Sequence, residues 1–142
     1  MDAIGSLRAH AELLLETGRD LWLATSSTNG PHLVPLSYVW HRERLLMATS
    51  ARSTTGRNLL ENGHARAAVG VTRDLVIVVG PVSAADAEDT VLSTLFEEKL
   101  GFGPAQVGKE GILFVLTPSE IQTWTEHADA DRWVMRGGRW LD

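Results

Sequence analysis

Leu21-Trp22-Leu23-Ala24-Thr25-Ser26, then Asn29-Gly30, then His32-Leu33-Val34-Pro35-Leu36-Ser37-Tyr38-Val39-Trp40 is the stretch on which the fold turns. Leu21, Leu23 and Thr25 alternate with Trp22, Ala24 and Ser26, the two-residue period of a strand. Asn29-Gly30 is the strongest short-range hairpin signal, because both residues tolerate positive φ. The run from His32 to Trp40 then returns antiparallel to the first strand. His41-Arg42-Glu43-Arg44 makes a polar turn, and Leu45 to Thr49 forms a third strand, completing a meander.

Upstream, Ser6 to Thr17 places Leu7, Ala11, Leu14 and Leu15 near one helical face, and Gly18 stops the helix. Downstream, Ser53 is the N-cap of a helix that ends at Asn62-Gly63. Ala65 to Val71 reads as a strand, followed by the turn Thr72-Arg73-Asp74. Leu75 to Val79 is nearly continuously apolar, which predicts a strand buried on both faces and bent at Gly80-Pro81. Asp86 to Leu100 reads as a helix with Asp86, Glu88 and Asp89 near its positive end. Its expected apolar face is Val91, Leu92, Leu95 and Phe96. The glycine-rich loop Gly101 to Gly111 precedes a strand from Ile112 to Leu116. Ile121 to Thr125 continues the sheet. Arg132 to Met135 and Arg139 to Leu141 flank Gly137-Gly138 as a terminal hairpin. This is a mainly β, α+β pattern. Six or more short strands with interspersed helices predict a closed or partly closed antiparallel barrel, because closure removes exposed edges.

Composition narrows the function classes. The 142 residues fit one domain spanning 1–142, and 44% hydrophobic with 22% charged residues is globular rather than disordered. The net charge is −5 and the basic residues are scattered, so there is no stripe to neutralise phosphates and no nucleic-acid partner is expected. The absence of cysteine removes disulfides, thiolate nucleophiles, zinc fingers and iron–sulfur clusters together. Met1 to Gly5 lacks a basic and apolar leader, and no apolar run approaches the ~20 residues that cross a bilayer. A soluble cytoplasmic protein without a membrane partner is the expectation.

The segment richest in chemistry is Thr49-Ser50-Ala51-Arg52-Ser53-Thr54-Thr55-Gly56-Arg57-Asn58-Leu59. It joins a strand end to a helix start and is packed with hydroxyls, two arginines and a glycine. Helix N-termini offer unpaired N–H groups and a positive dipole end, which suit a phosphate. Ser53, Thr54 and Thr55 add hydroxyls, and Arg52 or Arg57 adds a bidentate fork. A capped helix on a polar surface loop has the same composition. A second segment centres on Pro35, which removes a ladder donor from its strand. A planar ring lying there would meet backbone carbonyls and Ser37; an edge strand guarded by proline reads the same way.

Leu23-Ala24-Thr25, Asn29-Gly30-Pro31-His32-Leu33-Val34-Pro35-Leu36, Arg57-Asn58-Leu59 and Arg73-Asp74-Leu75-Val76 follow one another at characteristic spacing. Together they resemble the pyridoxamine 5′-phosphate oxidase-like flavin-binding split-barrel superfamily, and within it the actinobacterial flavin- and deazaflavin (F420)-dependent oxidoreductases. The resemblance covers about Leu21 to Thr117. It implies a six-stranded antiparallel split β-barrel with flanking helices, a homodimer, and FMN or F420 bound where two subunits meet. Pro35, Leu36, Ser37 and Tyr38 would face the ring. The turn containing Thr49, Ser50, Ser53, Thr55, Arg57 and Asn58 would hold the phosphate, and Trp133 would reach the partner's site. Many relatives carry lysine where this chain has Thr55, and a basic residue where it has Ser53. Charge must then come from Arg57 or Arg52, beside amide donors, which also leaves room for a member that has lost its coenzyme.

Other features are set aside. His10, His32, His41, His64 and His127 show no metal spacing, no nucleophile elbow is present, and Gly101-Phe102-Gly103 lacks a βαβ context. Trp22 and Trp40 are expected in the core or a dimer interface, and Trp124 over a barrel end. Trp133 either covers that end or walls a coenzyme pocket. The expected function is hydride transfer between a reduced flavin or F420 and a small organic acceptor, with no catalytic side chain. The alternatives are a flavin, F420 or haem carrier without turnover, and a cofactor-free dimer.

Overall fold

A computed structural model describes residues 3–86, 89–126 and 132–141. In chain order the elements are α1 (Ala3–Thr17), β1 (Asp20–Ser27), β2 (Gly30–His41), β3 (Arg44–Ser50), α2 (Thr54–Asn62), β4 (His64–Val71) and β5 (Asp74–Ala84). They continue with α3 (Thr90–Leu100), a 3-10 turn at Pro104–Gln106, β6 (Gly111–Leu116), β7 (Glu120–Thr125), β8 (Trp133–Arg136) and β9 (Arg139–Trp140).

The sheet runs β4-β1-β2-β3-β6-β5-β7-β8-β9, and β4 also pairs with β5. That extra pairing closes β4, β1, β2, β3, β6 and β5 into the expected six-stranded antiparallel barrel, with β7 to β9 continuing outward from β5. The central element is β5. Its first part, Asp74 to Val79, lies between β4 and β7, while Val82 to Ala84 pair with β6. Gly80-Pro81 is the changeover. Proline donates no ladder bond, and a Cβ on Gly80 would stand 2.1 Å from the Thr117 carbonyl oxygen, where the β6–β7 corner folds over it.

Alternation fills the barrel. Leu21, Leu23, Tyr38, Leu45, Met47, Ala67, Val69, Val76, Val78, Phe114, Leu116 and Ile121 form one buried cluster. The helices occupy three places. Ala11 and Leu15 of α1 close the end near Tyr38, whose hydroxyl donates to the Leu15 carbonyl at 2.7 Å. Leu59 of α2 closes the opposite end. Phe96 and Leu100 of α3 lie against Val39, Leu46, Ala48, Leu113 and Val115 on the outer side of β2, β3 and β6.

Several sequence expectations need correction. The first hairpin turn is Thr28-Asn29, with Ser27 paired to Gly30, and Gly30 rather than Asn29 takes positive φ (107°). The strand expected to be buried on both faces is buried on one: Val76 and Val78 point inward, while Leu75, Ile77 and Val79 are half-buried on the outside. It also continues past Gly80-Pro81 to Ala84. The third helix begins at Thr90, not Asp86, because Asp89 caps it by accepting from the Val91 and Leu92 amides. Asp86 therefore precedes the helix, and Glu88 lies outside the described residues. Val91, placed on the apolar face from the sequence, is exposed. Of the two places expected for Trp22, the core is excluded, since it is 51% exposed on the outer face of β1. Trp124 is also exposed, under the Arg132 guanidinium at 4.3 Å, and covers no barrel end; Trp140 packs against the barrel core instead.

Candidate functional site

Between β2 and β3 the barrel is open at one end. Their ladder runs from His41↔Arg44 to Tyr38↔Met47 and stops. Beyond it, Pro35, Leu36 and Ser37 pair with Trp22, Leu21 and Asp20 of β1, while Ala48, Thr49 and Ser50 pair with Leu113, Ile112 and Gly111 of β6. The two strands diverge into a seam. Pro35, Leu36 and Ser37 form one border, and Thr49 and Ser50 form the other. Pro35 is exposed on the outer face, where its missing N–H leaves no donor wasted. The Leu36 side chain turns inward onto the core, so this residue offers the seam its backbone. Ser37 donates to Asp20 Oδ1 at 2.8 Å. Tyr38 ends the ladder with its phenol pointing away, toward α1. Burial there, and then the Asp20 charge, push its pKa above the usual tyrosine range and keep it a donor.

The turn that follows β3 is wound tightly around Ser53. Its Oγ accepts from the Gly56 amide at 2.9 Å, donates to the Ser50 carbonyl at 2.7 Å, and lies 3.2 Å from Thr49 Oγ1. The Arg57 amide donates to the Ser53 carbonyl at 2.9 Å, the first bond of α2. The amides of Thr54 and Thr55 find no acceptor among the described residues and stay open at the positive end of the helix. Gly56 permits the winding, since a Cβ there would lie 2.0 Å from the Ser50 carbonyl oxygen.

The sequence-derived residues thus take distinct roles. Arg57 is exposed beside the open amides and forms no ion pair among the described residues. Arg52 is exposed and stands 3.6 Å from Glu110 Oε1. Thr55 has a buried side chain, so its contribution to the helix end is the backbone amide. Asn58 is also buried and donates to Thr25 Oγ1 at 3.1 Å, fastening α2 to β1.

The loop before β6 is a part of this site that sequence reasoning missed. Ser50 Oγ donates to the Lys109 carbonyl, and the Ala51 amide donates to the Glu110 carbonyl at 2.9 Å. The available signal was glycine spacing. A Cβ on Gly111 would collide with the Pro104 carbonyl, and Gly108 approaches the Ser50 side chain.

Trp133 stands elsewhere in the chain. One outward row of the sheet reads Pro35, Trp22, Ala68, Ile77, Gln122, Trp133 across six neighbouring strands. At about 4.8 Å per strand, the row from Pro35 to Trp133 follows roughly 24 Å of the curved sheet. Arg136 lies over the Trp133 ring at 4.6 Å. Trp133 thus stands on neither border strand of the seam. The same outer face exposes Leu33 (60%) and Trp22 (51%), with Pro35, Ala68 and Ile77 in the Trp22 row and Arg66 between Ala24 and Val79 in the next.

Among the described residues no helix is long and apolar enough to cross a membrane, and no group of three metal-ligating side chains forms. His10 Nε2 instead meets Asp74 Oδ1 at 2.7 Å, tying α1 to the β4–β5 turn, and His127 lies outside the described residues.

No curated protein matches the chain. Among solved structures it is similar to a heme binding protein from Mycobacterium smegmatis (TM-score 0.76, 15% identity, 88% of this chain and 56% of that one). It is also similar to a FAD-binding protein from Mesorhizobium loti (TM-score 0.70, 15% identity, 82% and 90%) and to an F420 reductase (TM-score 0.64, 19% identity, 78% and 94%). At these identities the likeness is one of fold. The model of the pyridoxamine 5′-phosphate oxidase family matches residues 7–125, a span that includes the seam, the Ser53 turn and the closed barrel, and the chain belongs to that family.

Proposed function

We propose that this protein is an F420- or FMN-dependent oxidoreductase that acts as a homodimer and moves a hydride between the reduced coenzyme and a small organic acceptor. The observation that carries this reading is the β2–β3 seam opening beside a positively polarised helix end whose Thr54 and Thr55 amides remain open after Ser53 has capped the Gly56 amide. The donors there fit a phosphate. The Thr54 and Thr55 amides point from the helix end, Arg57 brings charge, and the wound turn fixes their positions. When bound, a reduced flavin or deazaflavin supplies the hydride, so the chain need only bind, orient and exclude water. Pro35 and Ser37 would border the ring, with the Leu36 backbone between them. The apolar outer face supports the dimer, because a two-fold contact there would bury Trp22 and Leu33 and could carry one subunit's Trp133 toward the other's seam.

The test is a calorimetric titration of purified protein with FMN and with F420, repeated on Arg57→Ala. Binding of either coenzyme, weakened about tenfold or more in the variant, is the expected result. Failure of both to bind, or unchanged affinity in Arg57→Ala, overturns the phosphate site. Stopped-flow mixing of the reduced complex with quinone or nitro acceptors then tests turnover. Reoxidation no faster than with free coenzyme favours the second reading, a flavin, F420 or haem carrier. That reading is supported by Thr55, a buried side chain that brings no charge to the helix end, and by a fold shared with a heme binding protein.

A further inference from the structure

At the other end of β2 from the seam, two adjoining cavities of about 500 and 360 Å³ form a groove between the C-terminal turns of α1 and α3. Both are lined by Glu16, Trp40 and Lys99. The lining carries both signs of charge. On the α1 side, Glu12 and Glu16 are one helical turn apart and share a face. The remaining charges of the lining are Lys99 in the last turn of α3, Arg42 beside Glu43 in the β2–β3 turn, and Arg19, which follows α1 and reaches the end of α3.

These charges do not cancel in pairs. Glu12 is bound to Arg8 at 3.1 Å on its own helix, and Glu43 accepts from Trp140 Nε1 at 3.2 Å. Glu16, Lys99 and Arg42 have no ion-pair partner among the described residues, although they line the same space. Arg19 is held at the groove's end by its bond to the Leu100 carbonyl at 2.8 Å. Trp40 is half-buried and packed against the barrel core, which fixes its indole in the groove.

We propose that this groove binds a small zwitterion with a planar apolar group, of the aromatic amino-acid type. Its ammonium faces Glu16 and Glu12, its carboxylate faces Lys99 and the arginines, and its ring lies on Trp40. A ligand of one sign gains from one set of these charges and is repelled by the other. A dipolar ligand satisfies both, and an aromatic surface rewards a planar body with directional contacts beyond simple burial. The volumes lie in the range of small-molecule sites. The groove is separate from the coenzyme seam, so neither proposal depends on the other.

The test uses the wild-type protein with L-phenylalanine, phenethylamine and 3-phenylpropionate, followed by calorimetry and by NMR of the tryptophan indole N–H groups. L-phenylalanine is expected to bind at least about tenfold more tightly than either single-charge analogue and to shift the Trp40 indole signal. Glu16→Gln and Lys99→Met, both at exposed positions, should each lower that affinity about fivefold or more while leaving the free-protein spectrum unchanged elsewhere. No binding at millimolar L-phenylalanine, equal binding of all three probes, or a response confined to other tryptophans overturns the proposal.

Discussion

Asn58 and Thr25 hold each other inside the protein, the Asn58 side-chain amide donating to the threonine hydroxyl at 3.1 Å with both residues buried. This bond spans helix α2 and strand β1. It therefore fixes the helix whose N-terminus borders the seam.

Replacing Asn58 by alanine strands a buried hydroxyl and opens a small void, so Asn58→Ala should lose about 2–3 kcal/mol in urea unfolding. Asn58→Leu combined with Thr25→Val removes both polar partners and should cost less than the sum of the single changes. Strict additivity would mean that the two residues do not interact.

Ser53→Ala removes the cap of α2 and the bond to the Ser50 carbonyl together. A loss of about 1–2 kcal/mol is expected. Ser53→Asp, which keeps an acceptor for the Gly56 amide, should recover part of it, as read from the denaturation midpoint.

Gly80→Ala tests the changeover of β5. The added methyl would meet the Thr117 carbonyl at 2.1 Å with backbone on both sides. A loss of roughly 1–3 kcal/mol or more is expected. Gly137→Ala is the control for added bulk, since open space surrounds that position and strain from its positive φ of 58° is then the main cost. Equal thermal shifts for the two variants would contradict the close approach.

His41 titrates below its ordinary value of 6.5, chiefly through partial desolvation and then through Arg42, Arg44 and Lys99. Folding thus favours the neutral ring. The corresponding stability is present above pH 6.5 and is lost as pH falls through the depressed folded value. An NMR titration should find the midpoint below 6.5, moved part of the way back in Arg42→Gln. A midpoint at or above 6.5 would remove the effect.

Trp22→Glu places a charge on the outer apolar face without touching the barrel interior. Light scattering after gel filtration should find the wild type as a dimer and the variant as a monomer with unchanged circular dichroism. A monomeric wild type would remove the basis for Trp133 reaching a partner's seam.

Much of this architecture was legible in the sequence because alternation and capping act locally. Leu21, Leu23 and Thr25 announced β1, and Ser53 with Gly63 marked both ends of α2. What stayed hidden depended on neighbours distant in sequence. The apolar run in β5 looked like a strand covered on both sides, yet only Val76 and Val78 face the core; the other side belongs to the outer surface. Asp86, read as the start of the third helix, lies before it, because Asp89 caps the helix by bonding two amides. At the candidate site the hydroxyl-rich turn was visible, but composition could not tell Ser53 and Asn58, occupied by internal bonds, from the open Thr54 and Thr55 amides. Nor could it bring the Lys109–Glu110 loop alongside.

The sharing of β5 among three neighbours bears on how the protein opens. Releasing β5 breaks its bonds to β4, β6 and β7 together, so opening the barrel wall at β5 is costly. Backbone amides of Val76 and Val78 should exchange with solvent only through global unfolding, on the slowest timescale the molecule has. The two-residue β9 has β8 as its ladder partner and should fray many times faster.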